Sequence, residues 1–233
     1  MKNILYIIIV LSFVACGKVR PEGKIVSQDT PLEDFTAIAL KGKFRVFFAA
    51  GTKSFVNVET YPNVAENLRI KVKDKTLTIE ENRETKGVDF YNITIYSRYQ
   101  PTKISIADSV EFNVSSEINT DNFRLNLKNN GKFIGAIRSR SAEIEMAQLS
   151  LANFRGFSKN AVIKLKDTAN IVAPYWKIDH VQLELKNGVF AEISVQDSLK
   201  GKIEDTGKLL YHGDPIRAIK IGKTTNVQNK ALE

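Results

Sequence analysis

The sequence predicts an all-β protein, a parallel β-helix or β-solenoid with a more irregular β-rich N-terminal half. Two observations carry this. Apolar residues alternate with polar ones over short runs rich in branched and aromatic side chains, as in Phe44-Arg45-Val46-Phe47-Phe48, Leu68-Arg69-Ile70-Lys71-Val72 and Phe123-Arg124-Leu125-Asn126-Leu127. Such period-2 runs are half-buried strands. The second half also repeats: Ile163-Lys164-Leu165-Lys166-Asp167, Leu183-Glu184-Leu185-Lys186-Asn187 and Ile203-Glu204-Asp205-Thr206-Gly207 start 20 residues apart. A fixed period of this size marks coils that stack to share a core no single coil could bury. An antiparallel sandwich with coincidental spacing is the competing architecture.

The elements follow in order. Residues 1–15 have a charged start, an apolar run from Ile4 to Val14 and small residues at the cut. That is the build of a secretory signal, too short for a spanning helix. Cys16 is the sole cysteine, so it forms no internal disulfide. Val14-Ala15-Cys16-Gly17 resembles the bacterial lipobox, with Phe13 where leucine is commonest. The resemblance implies cleavage before Cys16 and its lipidation, each buried methylene contributing about 0.8 kcal/mol.

Residues 16–30 then read as the lipidated cysteine and a flexible tether. Residues 31–222 form one β-rich head, irregular over 31–120 and solenoidal over 121–222. In the irregular part, Lys41-Gly42-Lys43 and Ala50-Gly51-Thr52 look like tight turns, and residues 63–67 allow one helical turn. Asp167, Asn187 and Gly207 share one turn position in the repeats, where tolerance of left-handed backbone angles helps. Residues 223–233 read as a polar, loose tail.

The residue inventory points away from catalysis and leaves two features that could serve binding. The two histidines, His180 and His212, have no partners at ligand spacing, so neither a metal nor another cofactor is expected. Ser139, Ser141 and Ser158 sit in no glycine elbow. Glu143 and Glu145 share a strand face, but read as a solvated edge rather than a glycosidase pair. The formal net charge of +8 favours anionic partners such as acidic glycans or lipid headgroups, with Arg138, Arg140 and Arg155 as candidates, although the more ordinary reading is that mixed basic residues keep a β-protein soluble and its strand edges unpaired. No nucleic-acid motif is present. Tyr175-Trp176, after Pro174, offer a sugar-stacking platform if exposed, or filling for a coil corner or the core if not.

Beyond these residues, the chain resembles the family called putative auto-transporter adhesin, head GIN domain, of Bacteroidetes-type envelope lipoproteins. The resemblance runs from Asp34-Phe35-Thr36-Ala37-Ile38 through Gly42, Val46, Gly51, Val56-Asn57-Val58 and Leu77-Thr78-Ile79 to Leu210-Tyr211-His212-Gly213-Asp214-Pro215. The glycine- and serine-rich turn common in mid-domain is represented only by Asp108-Ser109 and Ser115-Ser116. The resemblance implies a β-helical, non-enzymatic envelope protein.

The expected function is therefore an adhesin-like scaffold, tied to the membrane, binding a glycan or a protein partner. The expected place is the outer membrane. Gly17-Lys18-Val19-Arg20 lacks the acidic residues that mark surface export in such bacteria, which tilts the head toward the periplasm. Alternatives are a periplasm-facing protein of envelope assembly or stress sensing, and a polysaccharide lyase. Neither the ligand nor the oligomeric state is readable.

Overall fold

The computed structural model describes residues 17–231. The leader and Cys16 lie outside the described residues. In chain order the first strands are β1 (Val26–Pro31), β2 (Ala37–Gly42), β3 (Arg45–Ala50) and β4 (Phe55–Thr60), followed by one helical turn, α1 (Pro62–Ala65). Next come β5 (Leu68–Lys73), β6 (Thr76–Glu81), β7 (Asn92–Ser97), β8 (Lys103–Asp108) and β9 (Glu111–Val114). The longer strands are β10 (Ile118–Leu127), β11 (Lys132–Ala147), β12 (Leu151–Lys166), β13 (Asn170–Lys186) and β14 (Phe190–Ile203). Shorter ones close the chain: β15 (Lys208–His212), β16 (Ile216–Ile221) and β17 (Asn226–Asn229).

The long strands stack in parallel as a β-solenoid of about seven turns. One ladder runs β2, β8, β10, then the C-terminal parts of β11 to β14, and ends on β16. A second runs β3, β9, the N-terminal parts of β11 to β14, then β15 and β17. Between them a short third ladder joins residues 118–120, 137–139, 156–158 and 176–178. Parallel pairing across whole coils excludes the sandwich. The N-terminal half supplies the first rungs through β2 and β3, and also a cap: β5 with β6, and β4 with both β1 and β7, are antiparallel. Because β2 and β3 pair with different ladders, the turn at Gly42 is a coil corner rather than a hairpin.

The expected 20-residue register holds for one step and then slips. Ile163 pairs with Leu183, as the period requires, but Leu183 pairs with Gly201 and Leu185 with Ile203, steps of 18. A slip of two keeps every side chain on its own face, so the sequence copies still match apolar to apolar. The shared turn position is correspondingly Asp205, not Gly207. Asp108, Asn129, Gln148, Asp167, Asn187 and Asp205 form a column with φ between 55° and 63°. Asn, Asp and polar neighbours tolerate this left-handed region best. The column is also cross-linked: Asn129 Nδ2 donates to Asp108 Oδ1 at 2.8 Å, and Asn187 Nδ2 to Asp167 Oδ1 at 3.0 Å.

Two terminal expectations are corrected. Residues 18–30 are not a free tether. Val19 is 5% exposed and bridges to Thr85, its N–H donating to the Glu84 carbonyl at 2.9 Å. Lys18 pairs with Glu84, Asn63 Nδ2 donates to the Arg20 carbonyl at 2.7 Å, and β1 adds a strand to the cap. The polar composition hid these backbone bonds, which need no apolar side chains. Nor are residues 223–231 loose: β17 pairs in parallel with β15, and the Lys230 N–H donates to the Tyr211 carbonyl at 3.0 Å.

A single core threads cap and coils. Phe48 and Phe112 lie 6.2 Å apart, Phe112 and Phe133 5.9 Å, Phe133 and Phe154 4.9 Å, and Phe154 and Trp176 4.9 Å, centroid to centroid. All five side chains are buried. This column starts in β3 and ends in β13, so the irregular half and the solenoid share one interior. Beside it runs a buried polar line, in which Ser139 Oγ and Ser158 Oγ bond at 2.8 Å and Trp176 Nε1 donates to Ser158 Oγ at 3.0 Å. Each polar atom on this line is thereby satisfied, as burial requires.

At the Gly42 corner, Glu81 Oε2 accepts from the Lys43 N–H and Oε1 from the Thr85 hydroxyl, both at 3.0 Å. Burial, the larger influence, nevertheless lifts the Glu81 carboxyl above the ordinary carboxylate range. A raised native value means the native state binds more protons than the unfolded chain. Its contribution to stability is therefore greatest at low pH and is lost as pH rises through the native value. Glu81→Gln should accordingly gain thermal stability relative to the parent as pH is raised from acid to neutral. Melting curves across that range check it; a difference that shrinks with rising pH contradicts it.

Candidate functional site

Outward side chains of the short third ladder gather most of the residues singled out in the sequence. Arg155 of β12 is the register partner of Tyr175 on β13, and Arg138, Phe157 and Lys177 form the next column on β11, β12 and β13. Arg140 and Lys159 flank the corner one position beyond Ser139 and Ser158, which are themselves partners. Adjacent rungs lie about 4.8 Å apart. Residues distant in sequence thus share one narrow strip. The inward positions between them are Ile137, Ser139, Ser158, Trp176 and Ile178, all buried.

The strip is unevenly compensated. Arg138 Nε pairs with Glu117 Oε2 at 2.9 Å. Among the described residues, Arg140, Arg155, Lys159 and Lys177 have no ion pair, while Asp121 and Asp179 stand at the corner's two ends. Sequence reasoning did not select Lys159 and Lys177. The signal was available: stepping forward one coil from Arg140 and two from Arg138 lands on them.

Tyr175 and Trp176 part company. Tyr175 is 67% exposed, whereas Trp176 is fully buried against Phe154. The expectation that Trp176 could stack on a ligand is therefore corrected: its neighbour in a strand must face the other way, and the core claims the larger ring. A bulge sets this arrangement. The β12–β13 register shifts between Asn153 and Arg155, and Pro174, Tyr175 and Trp176 have no register partners on β14. Proline suits such a site because it has no N–H to give the ladder. Gly156, the partner of Trp176, has φ +111°, and a Cβ there would lie 2.1 Å from the Ile137 carbonyl oxygen.

A second surface, on the first ladder's outer face, is a shallow groove of about 410 Å³ lined by Glu145, Lys164, Lys166, Glu184, Lys186 and Lys202 among others. Its charges alternate from rung to rung. Lys164 Nζ bonds Glu145 Oε1 at 3.1 Å and Lys202 pairs with Glu204 at 3.8 Å, while beside the groove Arg124 pairs with Glu143 at 2.9 Å. Glu143 and Glu145 thus each hold a cation of the neighbouring coil. The bond to Glu145 holds the Lys164 ammonium above its ordinary value. An eliminating base needs the opposite shift, so this pair does not suit the lyase alternative.

The histidines serve the scaffold. His212 is 4% exposed, with Nδ1 2.7 Å from the Lys230 carbonyl oxygen and Nε2 3.0 Å from Glu192 Oε1, tying three coil segments together. His180 is exposed, its Nδ1 3.1 Å from Ser198 Oγ. Among the described residues no cluster of His, Cys, Asp and Glu side chains is arranged to hold a metal ion, and no helix is long and apolar enough to cross a membrane.

Residues 34–215 match the family described as putative auto-transporter adhesin, head GIN domain. The chain belongs to this family. The GIN-type head shares its fold with a putative adhesin from Bacteroides fragilis: TM-score 0.79, 17% identity, covering 91% of this chain and 100% of that one. A putative lipid binding protein from Parabacteroides distasonis aligns with TM-score 0.68 at 14% identity, covering 92% and 100%. A putative adhesin from Parabacteroides merdae gives 0.68 at 15%, covering 91% and 99%. These likenesses establish the GIN-type fold. No curated protein matches the chain.

Proposed function

We propose that this protein is a non-enzymatic, adhesin-like scaffold of the cell envelope, held to the outer membrane by a lipid on Cys16. It engages an envelope polymer or protein partner through the side of its coils. The observation that carries the reading is the strip of Arg138, Arg140, Arg155, Lys159, Tyr175 and Lys177, displayed on a stack braced by a continuous aromatic core. Membership in a family named for adhesins, and adhesin-named proteins of the same fold, support the same role. Such a surface gains avidity by presenting many weak contacts at fixed spacing rather than by covalent chemistry.

Cys16→Ala tests the anchor. The parent should partition with membranes and incorporate labelled fatty acid, and the variant should do neither. An unlipidated parent that fractionates as a soluble protein removes the anchoring half of the reading. Protease added to intact cells then separates an outward-facing adhesin from a periplasm-facing envelope protein: a head degraded only after lysis is no surface adhesin.

A further inference from the structure

We propose that the Arg155–Tyr175 pair is a binding subsite for an acidic sugar, with the exposed tyrosine ring as the platform and the guanidinium as the carboxylate clamp. This rests on the reading of the strip as the binding surface, and it names the ligand class for it. Three independent features converge. The first is exposure: Tyr175 is 67% exposed while Phe154 and Trp176 beside it are taken up by the core. An aromatic ring offers a flat apolar face suited to the carbon-bound hydrogens of a pyranose ring.

The second is backbone construction. The bulge at Pro174–Trp176 interrupts pairing on the β14 side, and bulges characteristically re-aim side chains at functional places. It turns Trp176 inward and Tyr175 outward from a segment that both ladders otherwise hold flat. The third is charge. Arg155 is the direct cross-rung partner of Tyr175, so the two side chains leave the backbone about one rung, roughly 4.8 Å, apart. Among the described residues no ion pair occupies the Arg155 guanidinium. Arginine presents a planar fork matched to a carboxylate, with two parallel hydrogen bonds. Lys177, Arg140 and Lys159 extend the unpaired positive charge along and across the strip, so a linear polymer with acidic groups on successive sugars meets cations beyond the first.

The groove on the other face is the weaker candidate for the same ligand, because Glu145 and Glu204 already hold cations there. Those carboxylates would repel an acidic chain.

The test uses the full chain, purified in a neutral detergent, titrated with oligogalacturonate and separately with its methyl-esterified form at two salt concentrations. Oligogalacturonate should bind, more weakly at higher salt, and the neutral ester should bind at least about tenfold more weakly. Arg155→Gln should weaken oligogalacturonate binding about tenfold, and Tyr175→Ala about threefold to tenfold. Lys53→Gln, an equal charge change in the β3–β4 turn, should leave it within about twofold. Circular dichroism melts establish that each variant is folded.

Equal binding of the acid and ester, or equal losses in Lys53→Gln and Arg155→Gln, overturns the proposal; the latter would show a net-charge effect. Vesicles of phosphatidylglycerol that bind with the same dependence on Arg155 and Tyr175 overturn it in favour of a lipid headgroup. Because these titrations do not depend on Cys16 or on the side of the membrane faced, their failure is distinct from failure of the anchor and protease experiments.

Discussion

Trp176→Ala is expected to cost about 3–5 kcal/mol of unfolding free energy, the usual loss when a buried tryptophan is truncated in a core. The ring is fully buried, packs 4.9 Å from Phe154 and donates through Nε1 to Ser158 Oγ. Truncation opens a cavity at the end of the aromatic column and leaves the Ser158 hydroxyl with one partner fewer. Tyr175→Ala, one residue away, should stay within about 0.5 kcal/mol, as exposed substitutions generally do. Urea unfolding followed by far-ultraviolet circular dichroism measures both. Similar costs for the two would mean that the segment does not divide between interior and surface as described. The contrast also decides how binding experiments are interpreted, since lost affinity in the tryptophan variant would report damaged folding.

Gly201→Ala should be the most damaging single-methyl change in the solenoid. Gly201 has φ +131°, and a Cβ there would fall 1.9 Å from the Leu183 carbonyl oxygen and 2.9 Å from the Leu183 nitrogen. The obstacle is backbone of the preceding coil, which cannot rotate aside as a side-chain tip would. Relief requires separating the β13 and β14 rungs locally, so the strain and the broken ladder bonds together should cost at least about 3 kcal/mol. Gly188→Ala provides the comparison: φ is +70°, and the nearest atom to a new Cβ is Thr206 Oγ1 at 3.5 Å. There only the left-handed backbone preference is at stake, about 1 kcal/mol. Thermal melts of the two variants test the ranking. A smaller loss at Gly201 than at Gly188 would place the β13–β14 contact elsewhere.

Much of the architecture was legible because it is written in side-chain alternation. The strands around Val46, Ile70, Leu125, Ile163 and Leu183 declare themselves through period-2 burial, and the Ile163 to Leu183 step gives the coil length. The step from Leu183 to Gly201 was hidden because a two-residue slip leaves the alternation intact. The docking of Val19 and the pairing of β17 were hidden for a different reason. Both depend on backbone hydrogen bonds made by mostly polar stretches, in which a single packed valine, Val19 or Val227, sets up no periodic hydrophobic pattern.

Among the candidate site residues, Arg138, Arg140 and Arg155 stood out by charge, and stacking brought them together. Tyr175 and Trp176 could not be separated by composition. Their opposite fates follow from the bulge at Pro174, whose register shifts involve three consecutive coils. Lys159 and Lys177 looked like ordinary surface lysines until the coil spacing placed them beside the arginines.

The bridge between Val19 and Thr85 has a consequence for range. Gly17 and Lys18 alone separate Val19 from Cys16, and the three steps from Cys16 to Val19 span at most about 11 Å. A head acylated at Cys16, as proposed above, would therefore have no long stalk to pay out and would sit close against the bilayer. Its working distance is bounded by the height of the stack, about 34 Å for seven turns at roughly 4.8 Å each. Under the proposed anchoring, a target outside that height would have to approach the membrane, because so short a link would leave no slack with which to go and meet it.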